Sequence, residues 1–508
     1  MSFISALKNT LSALKNTLSA HKNTLSDVKS VTENGAIGYA TTGKFLVDMF
    51  FKVSSYCNLS DSDIANDFAK VYAENPELAI KFAFYVGDIR EGLGERRMFK
   101  VMIKWLASVE NFSKLIKQIP EYNRFDSLFI LRGTALEDKM VSYVHQQLIA
   151  DKNSDHPSLL AKWMPSINTS SEQTRELGRW FASKFCMTKR QYRKTLSGIR
   201  KKLELVESKM CAGDWSEINY EHVPSKANLN YKDAFMKHDE QRRRKFLEKV
   251  NAGEAKINSG VNFPHEVLQK YGHCPHLKDD AVEALWNNLK NTLTDTASNI
   301  MVVRDGSGSM SSRIGKTQIS ALTVATALSI YFSERQTGEF KDKFITFSSS
   351  PKYVDLSKCK TLFDKVRTCY AYTECSNTDI EATFDLILKT AVQNNLKQEE
   401  IPNLLIVSDM EFDQATTIGL HVQESKFVTL FKYIENKFKA YGYKLPKLIF
   451  WNVMSRTDTI PMKENTAGVG LVSGFSTNVV KAVLSDELDP FTAIVKILNS
   501  PRYEAIAL

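Results

Sequence analysis

Asp305-Gly306-Ser307-Gly308-Ser309-Met310 sets one carboxylate and two hydroxyls on a short glycine-bearing turn. Carboxylates and hydroxyls are hard oxygen donors, suited to Mg²⁺ or Mn²⁺ rather than to zinc, which favours imidazole and thiolate. Two further oxygen sources follow: Asn377-Thr378-Asp379 opens a helix-like stretch, and Ser408-Asp409 closes an apolar one. Convergence of the three loops would bring Asp305, Ser307, Ser309, Thr378 and Asp409 to one ion. Glu411 and Asp413 add carboxylates just downstream, without the ligand spacing that would mark a two-metal hydrolase.

A second chemistry lies between Glu176 and Glu204, a stretch with no acidic residue. It carries Arg179, Lys184, Lys189, Arg190, Arg193, Lys194, Arg200, Lys201 and Lys202, with Trp180, Phe181, Phe185 and Tyr192 interleaved. Cations neutralise phosphates and exposed aromatic faces stack on unpaired bases, the combination single-stranded RNA recognition uses. Some of these aromatics fall at helical spacing, where a core role is the alternative. Arg242-Arg243-Arg244-Lys245 is a weaker candidate because it follows Asp239-Glu240 and invites local pairing. The net charge of +9 supports an anionic partner only because it is localised: residues 151–250 hold 21 Lys and Arg against 13 Asp and Glu.

Other motifs point away from catalysis. Gly92-Leu-Gly94 lacks the Gly-Lys-Ser/Thr that completes a phosphate loop, and neither a nucleophile elbow nor a His-Glu-x-x-His helix occurs. His273-Cys274-Pro275-His276 has no second ligand pair nearby and reads as a turn. The seven cysteines contain no Cys-x-x-Cys pair, so a disulfide framework or zinc ribbon is not signalled and a reducing compartment is expected. With no apolar run of membrane-spanning length and no secretory signal, the expectation is a soluble, cytoplasmic, non-enzymatic chain with no membrane partner.

The elements that must position these residues fall into two textures. Only 13 prolines and 22 glycines occur in 508 residues, which suits long helices. Residues 34–300 show apolar positions three and four apart in the segments 43–51, 61–72, 76–86, 95–106, 173–185 and 193–207, predicting a stacked helical array. After residue 299, short apolar strands at 300–303, 344–347, 404–407, 448–453 and 469–472 alternate with helical segments at 316–334, 380–392 and 426–438. That alternation predicts a mostly parallel sheet covered on both faces. The first 26 residues repeat Ala-Leu-Lys-Asn-Thr-Leu-Ser with a period of seven, giving a short heptad-like tail that is either a docking helix or a frayed end. The expected organisation is a tail over 1–31, a helical domain over 32–297 and an α/β domain over 298–508.

Asp305-x-Ser307-x-Ser309, then Thr378, then Asp409, in strand-end order, resembles the metal-ion-dependent adhesion site of a von Willebrand factor A domain. By that resemblance Ser307, Ser309 and Thr378 contact Mg²⁺ directly or switch to do so, while Asp305 and Asp409 hold it partly through water. Arg304 departs from the family, which usually has an apolar residue there; a cation beside the site would weaken the metal or attract an anion. Upstream, the segments 32–43, 88–96, 122–126, 158–165 and 192–200 resemble an uncharacterised family that joins a HEAT-like, TROVE-like helical region to a C-terminal A domain. Its layout is similar to that of the Ro ribonucleoprotein autoantigen, whose helical repeats close into a ring and bind small structured RNAs. The resemblance implies the fold firmly and RNA binding as an expectation. Two functions therefore stand open: a non-catalytic RNA-binding scaffold with a Mg²⁺-binding A domain, and a protein-interaction module whose metal takes a carboxylate from a partner.

Overall fold

The computed structural model describes residues 29–31, 37–272, 275–293, 299–372, 379–411, 433–457, 460, 469–479 and 489–507. The heptads, His273-Cys274, Asn377-Thr378, Asp413 and most of the expected 426–438 helix lie outside them. The fold is a helical region followed by an α/β domain built on a six-stranded sheet. By packing, the chain divides into two compact units that interleave along the sequence. One contains Glu77–Asn258 and the segment from Pro501, and the other contains the described residues up to Pro76 together with Ser259–Ser500. The boundaries expected at 32 and 298 are changes of sequence texture, and both positions lie outside the described residues.

The helical unit is held by amphipathic faces. In Arg96–Leu106 the residues Met98, Phe99, Met102, Ile103 and Leu106 form one buried stripe while the basic residues face outward. Residues 501–506 belong to this unit. Asp88 is fully buried and takes a two-pronged contact from Arg502, Nε to Oδ2 at 2.9 Å and Nη2 to Oδ1 at 3.1 Å. Tyr503 donates to Asp88 Oδ2 at 3.2 Å and stacks on Tyr122, whose hydroxyl donates to the Arg502 carbonyl at 2.6 Å. A buried carboxylate without such partners would be strongly unfavourable, so this segment is integral to the unit.

In the other unit β1 (Lys29–Val31) and β2 (Ile37–Tyr39) form a small hairpin. The main sheet contains β3 (Ile300–Asp305), β4 (Lys343–Phe347), β5 (Tyr353–Asp355), β6 (Asn403–Ser408), β7 (Leu448–Asn452) and β8 (Val469–Ser473). Their spatial order is β5-β4-β3-β6-β7-β8, parallel except for β5. The central strands are buried on both faces, which is why they read as continuous apolar runs. Met301 and Val303 pack against the Ile380–Gln393 helix. The opposite face of β3 meets the Ala321–Ser333 helix, every residue of which is buried.

Segments from the helical text also belong to this unit. Ser54 hydrogen-bonds Ser473 and the Asn452 carbonyl, and Asn452 Nδ2 donates to the Phe51 carbonyl at 3.0 Å. Glu283, on the Asp280–Asn287 helix, accepts from Leu362 N at 2.8 Å, Phe363 N at 2.9 Å and Tyr271 Oη at 2.6 Å. It thereby supplies an acceptor for the orphan amides at the start of the Leu362–Ala371 helix. Glu283→Ala strands the Leu362 and Phe363 amides, while the Tyr271 hydroxyl keeps the Asp279 carbonyl, and is expected to lower stability by about 2–4 kcal/mol. Glu283→Gln, which keeps one acceptor, should lose less; urea unfolding of both variants checks this.

Candidate functional site

In the sheet order, β3 is flanked by β4 on one side and β6 on the other, so the chain reverses its direction of winding at β3. Ligand crevices in open α/β sheets form outside the carboxyl ends of the strands at such a point. The register pairs Arg304 with Val407, so Asp305 and the Ser408-Asp409 pair emerge at the same edge. Asp305 is 3% exposed and Asp409 1% exposed. Ser408 Oγ donates to Asp305 Oδ2 at 2.6 Å, Ser307 N donates to Asp305 Oδ1 at 2.9 Å, and Ser307 Oγ lies 2.9 Å from Ser309 Oγ. Ser309 also hydrogen-bonds Asp409. The described part of the expected site is therefore together, with Thr378 outside the described residues.

Its electrostatics are those of two acids sharing a dry crevice. Burial first, and the Asp305 carboxylate second, push the Asp409 carboxyl up to about 7. Met410 adopts a left-handed backbone with φ 60°, and such strain, of order 1–3 kcal/mol, recurs at functional loops. Glu411 on the far side of that kink accepts from Arg456 N at 2.6 Å and Thr457 N at 3.0 Å, fixing the loop after β7 to the same edge. Among the described residues no three His, Cys, Asp or Glu side chains are grouped to hold a metal, so an ion here would rest on hydroxyls as well as carboxylates. The donor set fits Mg²⁺: two mutually repelling buried carboxylates with the Ser307 and Ser309 hydroxyls half exposed beside them.

Arg304 does not stand beside this site. Alternation along β3 turns it to the opposite face, 1% exposed, where its guanidinium donates to the carbonyls of Cys369 at 3.0 Å and Tyr372 at 2.8 Å and packs over Phe344. It caps the C-terminal end of the Leu362–Ala371 helix, a structural use of the charge. Sequence reasoning missed Arg456, whose Nη2 reaches Asp409 Oδ2 at 3.5 Å. The available signal was its place just after β7, since every parallel strand delivers its following loop to the same edge.

The basic residues sort into two groups. Arg179 pairs with Glu172 at 3.3 Å, Lys184 with Glu137 at 2.7 Å, and Lys202 donates to the carbonyls of Lys152 and Ser154. Arg200 spends its fork on the Ala161 and Met164 carbonyls, both at 2.8 Å, and on Ser166 Oγ at 2.9 Å. Lys189, Arg190, Arg193, Lys194 and Lys201 are exposed.

The Lys189–Lys202 helix starts at a Thr188–Gln191 capping box, four residues before the expected start, and ends where Glu204 takes φ 45°. Starting at 189 brings Arg190 into line with Arg193, Lys194, Ser197 and Lys201, a stripe about 16 Å long at helical rise. Opposite it Tyr192, Leu196 and Ile199 are buried. The stripe lines an open groove of about 660 Å³ whose other wall includes Ser166, Ile167 and Asn168. Gly178 lets the neighbouring Glu172–Lys184 helix approach that wall, since a Cβ there would meet Ile167 Cγ2 at 2.7 Å.

The interleaved aromatics are not a stacking platform. Phe181, Phe185 and Tyr192 are core, with Tyr192 Oη donating to the Pro165 carbonyl at 2.9 Å. Trp180 is half-buried between Arg132 and Lys184. In the second cluster Arg242 pairs with Asp239, Arg244 with Glu240, and Arg243 is enclosed by Tyr220, Phe235 and Phe246.

The fold is thus a helical region followed by a mostly parallel α/β sheet with a carboxylate-and-hydroxyl loop at its switch point. Residues 299–494 match one family model, the domain of unknown function DUF7788, and residues 32–111 and 181–302 match another, DUF2828. The chain is similar to an uncharacterized protein of Acanthamoeba polyphaga mimivirus, 27% identical, with 92% of this chain and 87% of that one covered. It is also similar to the crystal structure of the Deinococcus radiodurans RO (RSR) protein, at 12% identity and a TM-score of 0.44, over 87% of this chain and 99% of that one.

The acid pair makes a prediction about the metal-free protein. Because the folded-state pKa of Asp409 is raised, its carboxyl stabilises the fold at low pH, and that stability is lost as pH rises from the ordinary value of 3.8 through about 7. In chelator, Asp409→Asn should therefore melt higher than wild type at pH 8, with the gap narrowing steadily as pH falls and closing only below about 3.8, read by thermal unfolding across that range.

Proposed function

We propose that this protein is a non-catalytic RNA-binding scaffold that holds structured or single-stranded-ended RNA through its phosphates, and that its α/β domain carries a Mg²⁺ ion. The observation that supports RNA binding is the groove beside the Lys189–Lys202 helix. Arg190, Arg193, Lys194 and Lys201 face it, and among the described residues no acidic side chain lines it. The aromatic side chains of this helical pair are buried or already covered by cations, so recognition rests on the sugar–phosphate backbone rather than on stacked bases. Such binding tolerates sequence and falls steeply with salt.

The metal reading is supported by the paired carboxylates at the switch point. A divalent ion would relieve the repulsion between Asp305 and Asp409, and Ser307 and Ser309 would complete its oxygen shell. A second reading uses the same feature: the half-exposed hydroxyl loop leaves an ion reachable by a carboxylate from a protein partner. No helix among the described residues is long and apolar enough to cross a membrane, and no membrane partner is proposed.

Two measurements check these readings. Replacing Arg190, Arg193, Lys194 and Lys201 by alanine should weaken RNA binding at least tenfold. It should also shallow the salt slope by up to about 3, at about 0.7 per lost phosphate contact on a single strand. Arg244→Ala, at an exposed cation already paired with Glu240, should leave both nearly unchanged. An unaltered slope in the quadruple variant would place RNA elsewhere or nowhere. Separately, Mg²⁺ at about a hundred times its dissociation constant should stabilise the protein by about 2.7 kcal/mol, and Asp305→Ala should abolish that gain. Loss of a captured protein partner in chelator, with RNA binding intact, would favour the second reading.

A further inference from the structure

Arg456 stands on the loop after β7, and its side chain is about a third exposed at 31%, while the Asp409 side chain it reaches is 1% exposed. The contact is long, Nη2 to Oδ2 at 3.5 Å, yet the backbone beneath it is firmly held. Glu411 accepts from the amides of Arg456 and Thr457 and from the hydroxyls of Ser455 and Thr457. Asn452 Oδ1 accepts from Ser455 N at 2.8 Å. The loop is thus fastened at the rim of the crevice, and the guanidinium hangs from it over the buried carboxylate.

We infer that Arg456 is a tethered cation that competes with the divalent ion for Asp409, so that each occupies the carboxylate only when the other has left. The inference rests on the metal reading above. Asp305 and Asp409 bring two negative charges into a dry crevice, and the guanidinium offsets one of them. A divalent ion offsets both and repels a guanidinium held against the same carboxylate. Since Glu411 and Asn452 anchor the backbone, the exchange is a rotation of one long side chain, with the loop left in place. The partly exposed stem gives that side chain somewhere to go. The site is therefore one whose affinity is set below what its oxygen donors alone would give.

The test is calorimetric titration of Mg²⁺ into the full chain after chelator stripping and dialysis, comparing wild type with Arg456→Met, Arg456→Gln, Arg456→Lys and Asp409→Asn. Removing the charge should tighten Mg²⁺ binding roughly tenfold, equivalent to about 1.4 kcal/mol. Lysine keeps the charge and should stay near wild type, which separates competition from loss of packing. Asp409→Asn should bind no Mg²⁺. Two charge-removing variants guard against one failing to fold, and melting in chelator identifies which are folded. Folded variants lacking the Arg456 charge that bind Mg²⁺ no more tightly than wild type would overturn the competition while leaving the metal reading standing. If neither wild type nor any Arg456 variant binds Mg²⁺ at millimolar concentration, the metal reading fails and this inference fails with it.

Discussion

The parallel pairing of β3 with β6 is the constraint on which the α/β domain is built. Five residue pairs from Ile300–Asn403 to Arg304–Val407 fix it, and a slip of one residue would exchange the two faces of β3. Met301 and Val303 would lose their helix, Arg304 would be driven out of its cap, and Asp305 would turn away from Ser408. One register therefore sets the core, the helix cap and the crevice together. The slip would leave a buried guanidinium and a buried carboxylate without their partners, which is what penalises the alternative.

Arginine distribution is the second organising feature. A helix-rich chain has many terminal carbonyls without intrahelical partners, and a guanidinium with five donors answers several at once. Arg200 and Arg304 do this in their separate units, and Arg335, 14% exposed, donates to the carbonyl of Tyr331 in the last turn of its helix. Arg502 answers a buried carboxylate instead. The positive charge of the sequence is thus partly structural, and counting it overstates what is left for a ligand. In the acid-free stretch Arg179, Lys184, Arg200 and Lys202 are engaged with the protein, and the cations facing outward collect on one helix face.

Much of this was legible in the sequence. The β3, β4, β6, β7 and β8 strands announce themselves as apolar runs, and the oxygen-rich loop after β3 is a local motif. The hairpin and β5 escaped because three-residue strands carry too little pattern to read. The early start of the Lys189–Lys202 helix was signalled by Thr188-x-x-Gln191, a capping box that apolar periodicity alone overlooks. The roles of Arg304 and Arg456 were not legible. One depends on which face of a strand a side chain takes, and the other on two loops meeting across 47 residues of sequence. The aromatics at 181, 185 and 192 had suitable types for base stacking and proved to be core, as their helical spacing allowed.

The Asp88–Arg502 contact joins residues 414 positions apart inside one compact unit. At a synthesis rate of about 5–20 residues per second, roughly 20–80 seconds separate the emergence of Asp88 from that of its partner. Through that interval the nascent helical unit carries a carboxylate that has the Arg90 amide but lacks the guanidinium that offsets its charge, alongside the surfaces of Tyr85 and Tyr122 that Tyr503 later covers. The unit cannot mature domain by domain on the ribosome. Its completion waits for Arg502 and Tyr503, so the surface they close stays open until those residues have been made.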